Sequence, residues 1–146
     1  MKVIAGILLA LILLVAGYLG YTHFVTNPAV AEQILSDPDS ELAHRVMLLS
    51  LPDQDGVRVI PVNYLREGEQ VFAGADGGWW RSLAAGNVPV TLQVRGKTLV
   101  GRARVELEDQ AYIDQVFSRL RPTVPGWLPD WANGKLVVID LDPEQE

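Results

Sequence analysis

The hydrophobic and polar positions form one long apolar run at the start of the chain, followed by short stretches separated by turns. Residues 3–21 carry no charged side chain, and the next acidic residue is Glu32. Farther along, apolar or alternating stretches end at Gly, Pro, Asn or Asp, which is typical of β-strands joined as hairpins. No strand–helix–strand rhythm is present, so we expect an antiparallel barrel rather than a doubly wound sheet.

The pattern predicts about six strands and two short helices after the N-terminal region. A short helix opened by Trp79 and Trp80 is predicted at 79–85. A second helix, with an apolar stripe at helical spacing, ends near Leu120. Pro61 lacks an amide donor, so it marks an edge, a bulge or a bend in the second strand. The strands are predicted at 44–51, 57–65, 70–75, 88–95, 97–107 and 135–141.

The apolar run at residues 3–21 has the length of a membrane-spanning helix, which takes about 20 residues. The alternative is a signal peptide cut after residues 29–31, whose Ala-Val-Ala sequence has the small-x-small pattern of a cleavage site. The run exceeds the ~7–15 residues of a usual signal core, so an anchor is favoured. Lys2 precedes the run, and the positive-inside rule then predicts the domain on the outer, extracytoplasmic side of the membrane.

The net charge and the residue composition exclude several classes of binding and catalytic site. The 146-residue chain has a formal net charge of −6, and removing residues 1–31 takes away only Lys2, which leaves −7. Nucleic-acid binding is not expected, since phosphate contacts need clustered Lys and Arg. The chain has no cysteine and only two histidines, His23 and His44. We therefore predict no metal site and no serine–histidine triad, and no paired carboxylates mark a catalytic acid or base.

The most distinctive stretch is residues 57–85, which reads strand, hairpin, strand, glycine-rich loop and aromatic helix. Its R-x-x-P, Gly-Gly and W-W-x-x-L motifs, followed by V-x-L-x-V, resemble the deazaflavin-dependent nitroreductases and quinone reductases. These enzymes belong to the flavin-binding split β-barrel class. The residues that carry the resemblance are Arg58, Pro61, Tyr64, Leu65, Gly77, Gly78, Trp79, Leu83, Asn87, Val90, Leu92 and Val94.

The resemblance implies a mainly β (α+β) fold, a six-stranded antiparallel split β-barrel at 43–142 with short helices. A transmembrane anchor or signal helix at 1–26 and a linker with a short helix at 27–42 precede it, and an acidic tail at 143–146 follows. It also implies an oxidoreductase that uses the deazaflavin coenzyme F420 or FMN and reduces a quinone or nitroaromatic-like acceptor, and the apolar run would anchor this enzyme to the membrane. A homodimer with the ligand at the subunit interface is implied as well.

The same resemblance indicates the site residues. Substrate is expected near Trp127 and Trp131, which otherwise form a hydrophobic lid over the barrel. Arg58 holds a ligand phosphate or pairs with Asp53 or Asp55, and Gly77–Gly78 presents amides to a phosphate or forms a simple turn. The cofactor-binding residues are expected to be Arg58, Tyr64, Ala75, Gly77, Gly78, Trp79 and Arg81.

Two departures from the family pattern support a second hypothesis. Such enzymes usually carry a basic T-G-R-K-S-G segment between the first two strands, whereas residues 52–56 contain two acids. The loop after the third strand commonly carries a lysine, and here it carries Asp76. Acids have the wrong sign for a polyanionic ligand. The alternative function is therefore a non-enzymatic split-barrel ligand-binding or interaction module that has lost cofactor binding.

Overall fold

Six antiparallel strands form the body of the protein. The structure is a computed structural model that describes residues 1–21, 27–125, 127–129 and 134–143. The helices are α1 (Lys2–Tyr21), α2 (Asn27–Ser36) and α3 (Gln110–Leu120), with a 3-10 helix at Gly78–Leu83. The strands are β1 (Val46–Asp53), β2 (Gly56–Glu67), β3 (Gln70–Ala75), β4 (Val88–Val94), β5 (Lys97–Glu106) and β6 (Lys135–Leu141).

The strands close into a barrel in the order β1-β2-β3-β6-β5-β4, and β4 returns to pair with β1. Every pairing is antiparallel, which confirms the predicted six-stranded antiparallel barrel with short helices. The bounds of β3 and β6 agree with the predicted ranges 70–75 and 135–141. The helix predicted at 79–85 is instead a single 3-10 stretch that begins one residue earlier.

The barrel interior is filled by aliphatic side chains that alternate along each strand. In β4, for example, Val90, Leu92 and Val94 are buried, and the residues between them are exposed or half-buried. Leu49 and Ile139, from other strands, have no exposed surface and belong to the same cluster. This two-residue period is what a sheet with one buried face requires.

Two helices cover parts of the outer surface. The apolar stripe of α3 packs with Phe72 of β3 and Val138 of β6 in a second buried cluster, which confirms the stripe predicted from helical spacing. Ile34 of α2 is buried against Ala43 and Leu48 in a third cluster. The segment predicted as a linker at 27–42 therefore contains a helix that is part of the packed domain.

The described side chains of α1, residues 3–18, are exposed. Within the described residues, no helix meets the length and hydropathy that a membrane crossing requires. Trp131 and residues 144–146 of the predicted acidic tail lie outside the described residues.

β2 is shared between two partners, and this sharing positions the site described below. Its residues 56–63 pair with β1, whereas only residues 64–67 pair with β3. The β3 strand pairs with β2 only as far as Ala73, whereas it pairs with β6 along its whole length to Ala75. The barrel is therefore open along one side of the first part of β2.

A carboxylate in the loop before α3 should make the stability of the protein depend on pH. The Glu106 carboxylate accepts hydrogen bonds from the backbone amides of Glu108 (3.0 Å) and Asp109 (3.2 Å), and these bonds hold its pKa below the ordinary value. A depressed carboxylate pKa contributes stability above the unfolded-state pKa and loses it as pH falls through the folded-state pKa. We expect Glu106→Gln to lower the urea midpoint at pH 7, with the deficit shrinking toward pH 3. The exposed carboxylate of Glu69 provides the control, and a deficit for Glu106→Gln that does not change with pH would contradict this account.

Candidate functional site

A cleft of about 240 Å³ opens where β2 and β3 separate. It exists because β3 leaves β2 after Ala73, so the two strands no longer fill the space between them. Backbone and side chains from both strands, the glycine-rich loop and the end of α3 line it. The lining residues are Pro61, Val62, Asn63, Gly74, Asp76, Gly77, Trp79 and Arg121.

The β2 side of the cleft is an unpaired strand edge. The amide of Tyr64 donates to the carbonyl of Arg45 at 3.0 Å, so this residue points its backbone groups toward β1. Alternate residues of a strand point to opposite neighbours. Val59, Pro61 and Asn63 therefore direct their backbone groups away from β1, toward the open side. Pro61 has no amide donor, which explains why a proline is tolerated in this strand.

An ion pair joins the glycine-rich loop to the end of α3. Arg121 Nη1 lies 2.8 Å from Asp76 Oδ1, and Nη2 lies 2.8 Å from Oδ2, a bidentate arrangement. Nη2 also lies 3.4 Å from the carbonyl of Gly74, and the guanidinium stands 5.4 Å from the ring centre of Phe117. The Arg121 side chain is only 14% exposed, whereas that of Asp76 is 69% exposed.

Gly74 leaves the space that the Arg121 guanidinium occupies. A Cβ at this position would lie 2.5 Å from Arg121 Nη2 and 2.8 Å from its Cζ. Glycine weakens a strand because it has no side chain to pack, so a strand glycine often marks a close approach. Here the close approach is that of the guanidinium to β3.

The glycine-rich loop and Trp79 form the third wall of the cleft. Gly77 is extended, with φ −106° and ψ −172°, and a Cβ there would touch only Trp79 Cδ1 at 3.8 Å. Trp79 and Trp80 are both half-buried against the barrel core. Of the two, only Trp79 lines the cleft, and the guanidinium of Arg81 lies 5.0 Å from the centre of the Trp80 ring.

The structure brings together Gly77 and Trp79 of the predicted cofactor residues, and it places others elsewhere. Ala75 is 2% exposed and belongs to the barrel core. The Tyr64 hydroxyl donates to the carbonyl of Ala43 at 3.2 Å, and burial raises the pKa of this phenol. Neither residue lines the cleft.

The remaining predicted residues lie on exposed surface. Arg58 is exposed on β2, and within the described part of the chain it pairs with neither Asp53 nor Asp55. Gly78 and Arg81 are exposed beside the cleft without lining it. Trp127 is 80% exposed, and the position of Trp131 is not described.

The sequence analysis missed Arg121 and Asn63. Arg121 follows the last turn of α3 and lies 45 positions from Asp76 in sequence, so only the packing of α3 on β3 brings them together. Asn63 could have been found from the sequence, because it lies two residues after Pro61 and its backbone groups therefore point toward the same edge of β2.

The cleft can bind, but its residues supply little chemistry. Among its described lining residues there is one carboxylate, already paired with a guanidinium, and no hydroxyl, imidazole or amine side chain. The described residues contain no cluster of acidic or histidine side chains arranged for a metal ion. A reaction in this cleft would therefore depend on a bound organic cofactor.

A second groove of about 300 Å³ lies on the outer face of β1, β4 and β5. Ser50 faces both Val59 of β2 and Thr91 of β4, and Thr91 faces Val100 of β5. The exposed fractions of Val57, Val59 and Val100 are 74%, 55% and 40%. The outer surface thus carries an uncharged row across four strands, which we call the valine row: Val57, Val59, Ser50, Thr91 and Val100.

Comparison with known proteins supports the fold. No family model and no curated protein sequence matches the chain. A candidate pyridoxamine 5′-phosphate oxidase from Listeria innocua is 18% identical, with a TM-score of 0.53 over 80% of this chain and 90% of that one. A FAD-binding protein from Mesorhizobium loti is 21% identical (TM-score 0.48, 67% of this chain and 81% of that one). An F420-H2 dependent reductase is 17% identical (TM-score 0.48, 66% and 94%). The likeness to the Listeria innocua protein shows a shared barrel fold.

The contact between Gly74 and Arg121 can be tested by a double-mutant cycle. Gly74→Ala forces the flexible end of the Arg121 side chain to move and breaks part of its pairing with Asp76, so we expect a loss of up to about 1 kcal/mol in the free energy of unfolding. The same substitution should cost much less in an Arg121→Ala background, because the obstructing atoms are gone. Urea denaturation of the four proteins measures both values. Equal costs in the two backgrounds would show that the guanidinium does not lie over Gly74.

Proposed function

We propose that the protein binds a flavin or deazaflavin in the cleft between β2 and β3 and acts as an oxidoreductase. The observation that supports this most directly is the cleft itself, which combines an unpaired strand edge, an open glycine and an aromatic side chain. The cofactor class, F420 or FMN, is the one that the sequence resemblance implies.

The residues of the cleft fit a flat heterocycle. The carbonyl of Pro61 and the backbone amide and carbonyl of Asn63 point toward the open side of the cleft, where they can bond to the polar edge of a ring. Trp79 supplies apolar surface for a ring face. Gly77 leaves the loop side open. The cleft volume of about 240 Å³ suits a ring better than a whole dinucleotide, so the chain attached to the ring would extend past Asp76 into solvent.

The cofactor would supply hydride transfer, and the protein would bind and orient it. On this proposal the β2 edge fixes the ring in its plane and Trp79 keeps water from one side. A quinone or a nitroaromatic-like compound is the proposed acceptor, because either is flat and apolar enough to approach a bound ring. Trp127 and Trp131 remain the proposed substrate-side residues.

The chain is further proposed to be membrane-anchored through α1, with the barrel on the outer side. The support is the uncharged run at 3–21, the exposure of the described α1 side chains, and Lys2 ahead of the run. Signal cleavage after Ala31 would cut α2 and remove Val30 and Ala31, which pack against the cluster around Ile34. Recovery of the full chain in the soluble fraction of cells would overturn the anchor.

A non-enzymatic module remains the second candidate. The observation that favours it is the β1–β2 turn, which is exposed and contains Asp53 and Asp55 where related enzymes carry a basic segment. Such a module would keep the barrel and its surfaces without cofactor affinity. The titration described next separates the two candidates.

The cofactor site is tested by Gly77→Glu. The backbone of Gly77 is extended, a conformation any residue adopts, so the substitution should fold normally while its carboxylate fills the open lip of the cleft. We expect the full-length protein to bind FMN, FAD or F420 in an absorbance and fluorescence titration, and the variant to bind at least about tenfold more weakly. The control is Ser82→Glu, on the exposed side of the same 3-10 helix. Absence of binding by folded full-length protein would favour the non-enzymatic module.

We also propose that the valine row forms a homodimer contact. The row joins three exposed valines, two on β2 and one on β5, through Ser50 of β1 and Thr91 of β4, and a symmetric contact would bury the same row from both copies. Val59→Glu should shift the protein toward monomer in analytical ultracentrifugation, because it places a charge in the surface that the contact would bury. Gln93→Glu, outside the row on β4, is the control. A monomeric wild-type protein would refute the proposed contact.

A further inference from the structure

The carboxylate of Asp76 stands at the mouth of the cleft, and the cation that neutralises it lies behind. Asp76 is 69% exposed, whereas Arg121 is 14% exposed. Both carboxylate oxygens bond to the guanidinium at 2.8 Å. An ionised carboxylate has about four acceptor sites, so each oxygen keeps acceptor capacity on its solvent side. A ligand that enters the cleft therefore meets acceptors before it meets the cation.

We propose that Asp76 is a specificity-determining residue of the cleft. It would favour ligands that carry hydroxyl or N–H donors beside the ring, such as an uncharged polyol chain. It would disfavour ligands that carry phosphate or carboxylate at that place. This inference rests on the proposed function and names the chemical class that the cleft prefers.

The orientation of Asp76 is fixed by structure, which is what selectivity needs. The bidentate pair sets the plane of the carboxylate. The guanidinium is in turn held between the carbonyl of Gly74 and the ring of Phe117. A side chain at position 74 would obstruct it. The carboxylate of Asp76 is thus held in a fixed orientation beside the cleft that it lines.

The charge balance gives the sign of the discrimination. Asp76 is the more exposed member of the pair, so an anion that arrives from solvent would meet the charge of the carboxylate before that of the guanidinium. Arg121 is the sole cation among the described lining residues, and Arg81 covers Trp80 instead. A phosphate near Asp76 would therefore meet net repulsion, and a hydroxyl would gain a hydrogen bond.

Riboflavin and FMN test this directly, because they differ only in a terminal phosphate. The experiment measures the dissociation constants of both for the full-length protein by fluorescence quenching. We expect Asp76→Asn to strengthen FMN binding relative to riboflavin binding by about tenfold, because the negative charge of the carboxylate is lost and the guanidinium stays. The double variant Asp76→Asn, Arg121→Gln removes both charges and should show a smaller gain in FMN binding relative to riboflavin binding. It also provides a second measurement if the single variant folds poorly.

The matched control is Glu67→Gln. Glu67 forms the same kind of bidentate pair with Arg119 of α3, at 2.8 and 3.1 Å, and does not line the cleft. The Glu67→Gln substitution should leave the ratio of the FMN and riboflavin dissociation constants unchanged. If both ligands bind and neither cleft variant changes that ratio, Asp76 does not select, and the proposed function still stands. If wild type binds neither ligand, the proposed function fails and this inference fails with it.

Discussion

The structure depends on one geometric constraint, which is that β2 is longer than either pairing it makes. Its twelve residues pair with β1 along the first two thirds of the strand and with β3 along the last third. A strand that changes neighbours in this way leaves an unpaired edge where the second neighbour has not yet arrived. The edge, the cleft beside it and the position of the glycine-rich loop all follow from this exchange of partners. Pro61 fits the same constraint, since an unpaired edge needs no donor.

Much of the barrel could be predicted because its strands alternate visibly. The two-residue period and the Gly, Asp and Asn breaks placed all six strands within a few residues, and β3 and β6 without error. The helical spacing of α3 was equally readable. The packing of α2 could not be predicted from the sequence, because nothing in the local pattern shows that Ile34 contacts Leu48 of β1.

The candidate site was less predictable, and the reason is electrostatic. From sequence, Asp76 counts as one more acid with the wrong sign for an anionic cofactor. In the fold, Arg121 pairs with it from the end of α3 and fixes its orientation, and Gly74 makes room for that guanidinium. Local patterns cannot show such a contact, because it depends on a helix crossing a strand 45 residues away. Gly77 and Trp79 were found because the loop and the aromatic residue are neighbours in sequence.

The most direct test of the account is to map a ligand onto the backbone. Uniformly nitrogen-15-labelled full-length protein in detergent micelles would be titrated with FMN and followed by amide chemical shifts. The account predicts the largest changes at Asn63, Gly74, Gly77 and the Trp79 indole, with small changes at the 53–56 turn. Saturable shifts that avoid these positions, or no shifts at millimolar FMN, would contradict the claim that the split between β2 and β3 is a cofactor site.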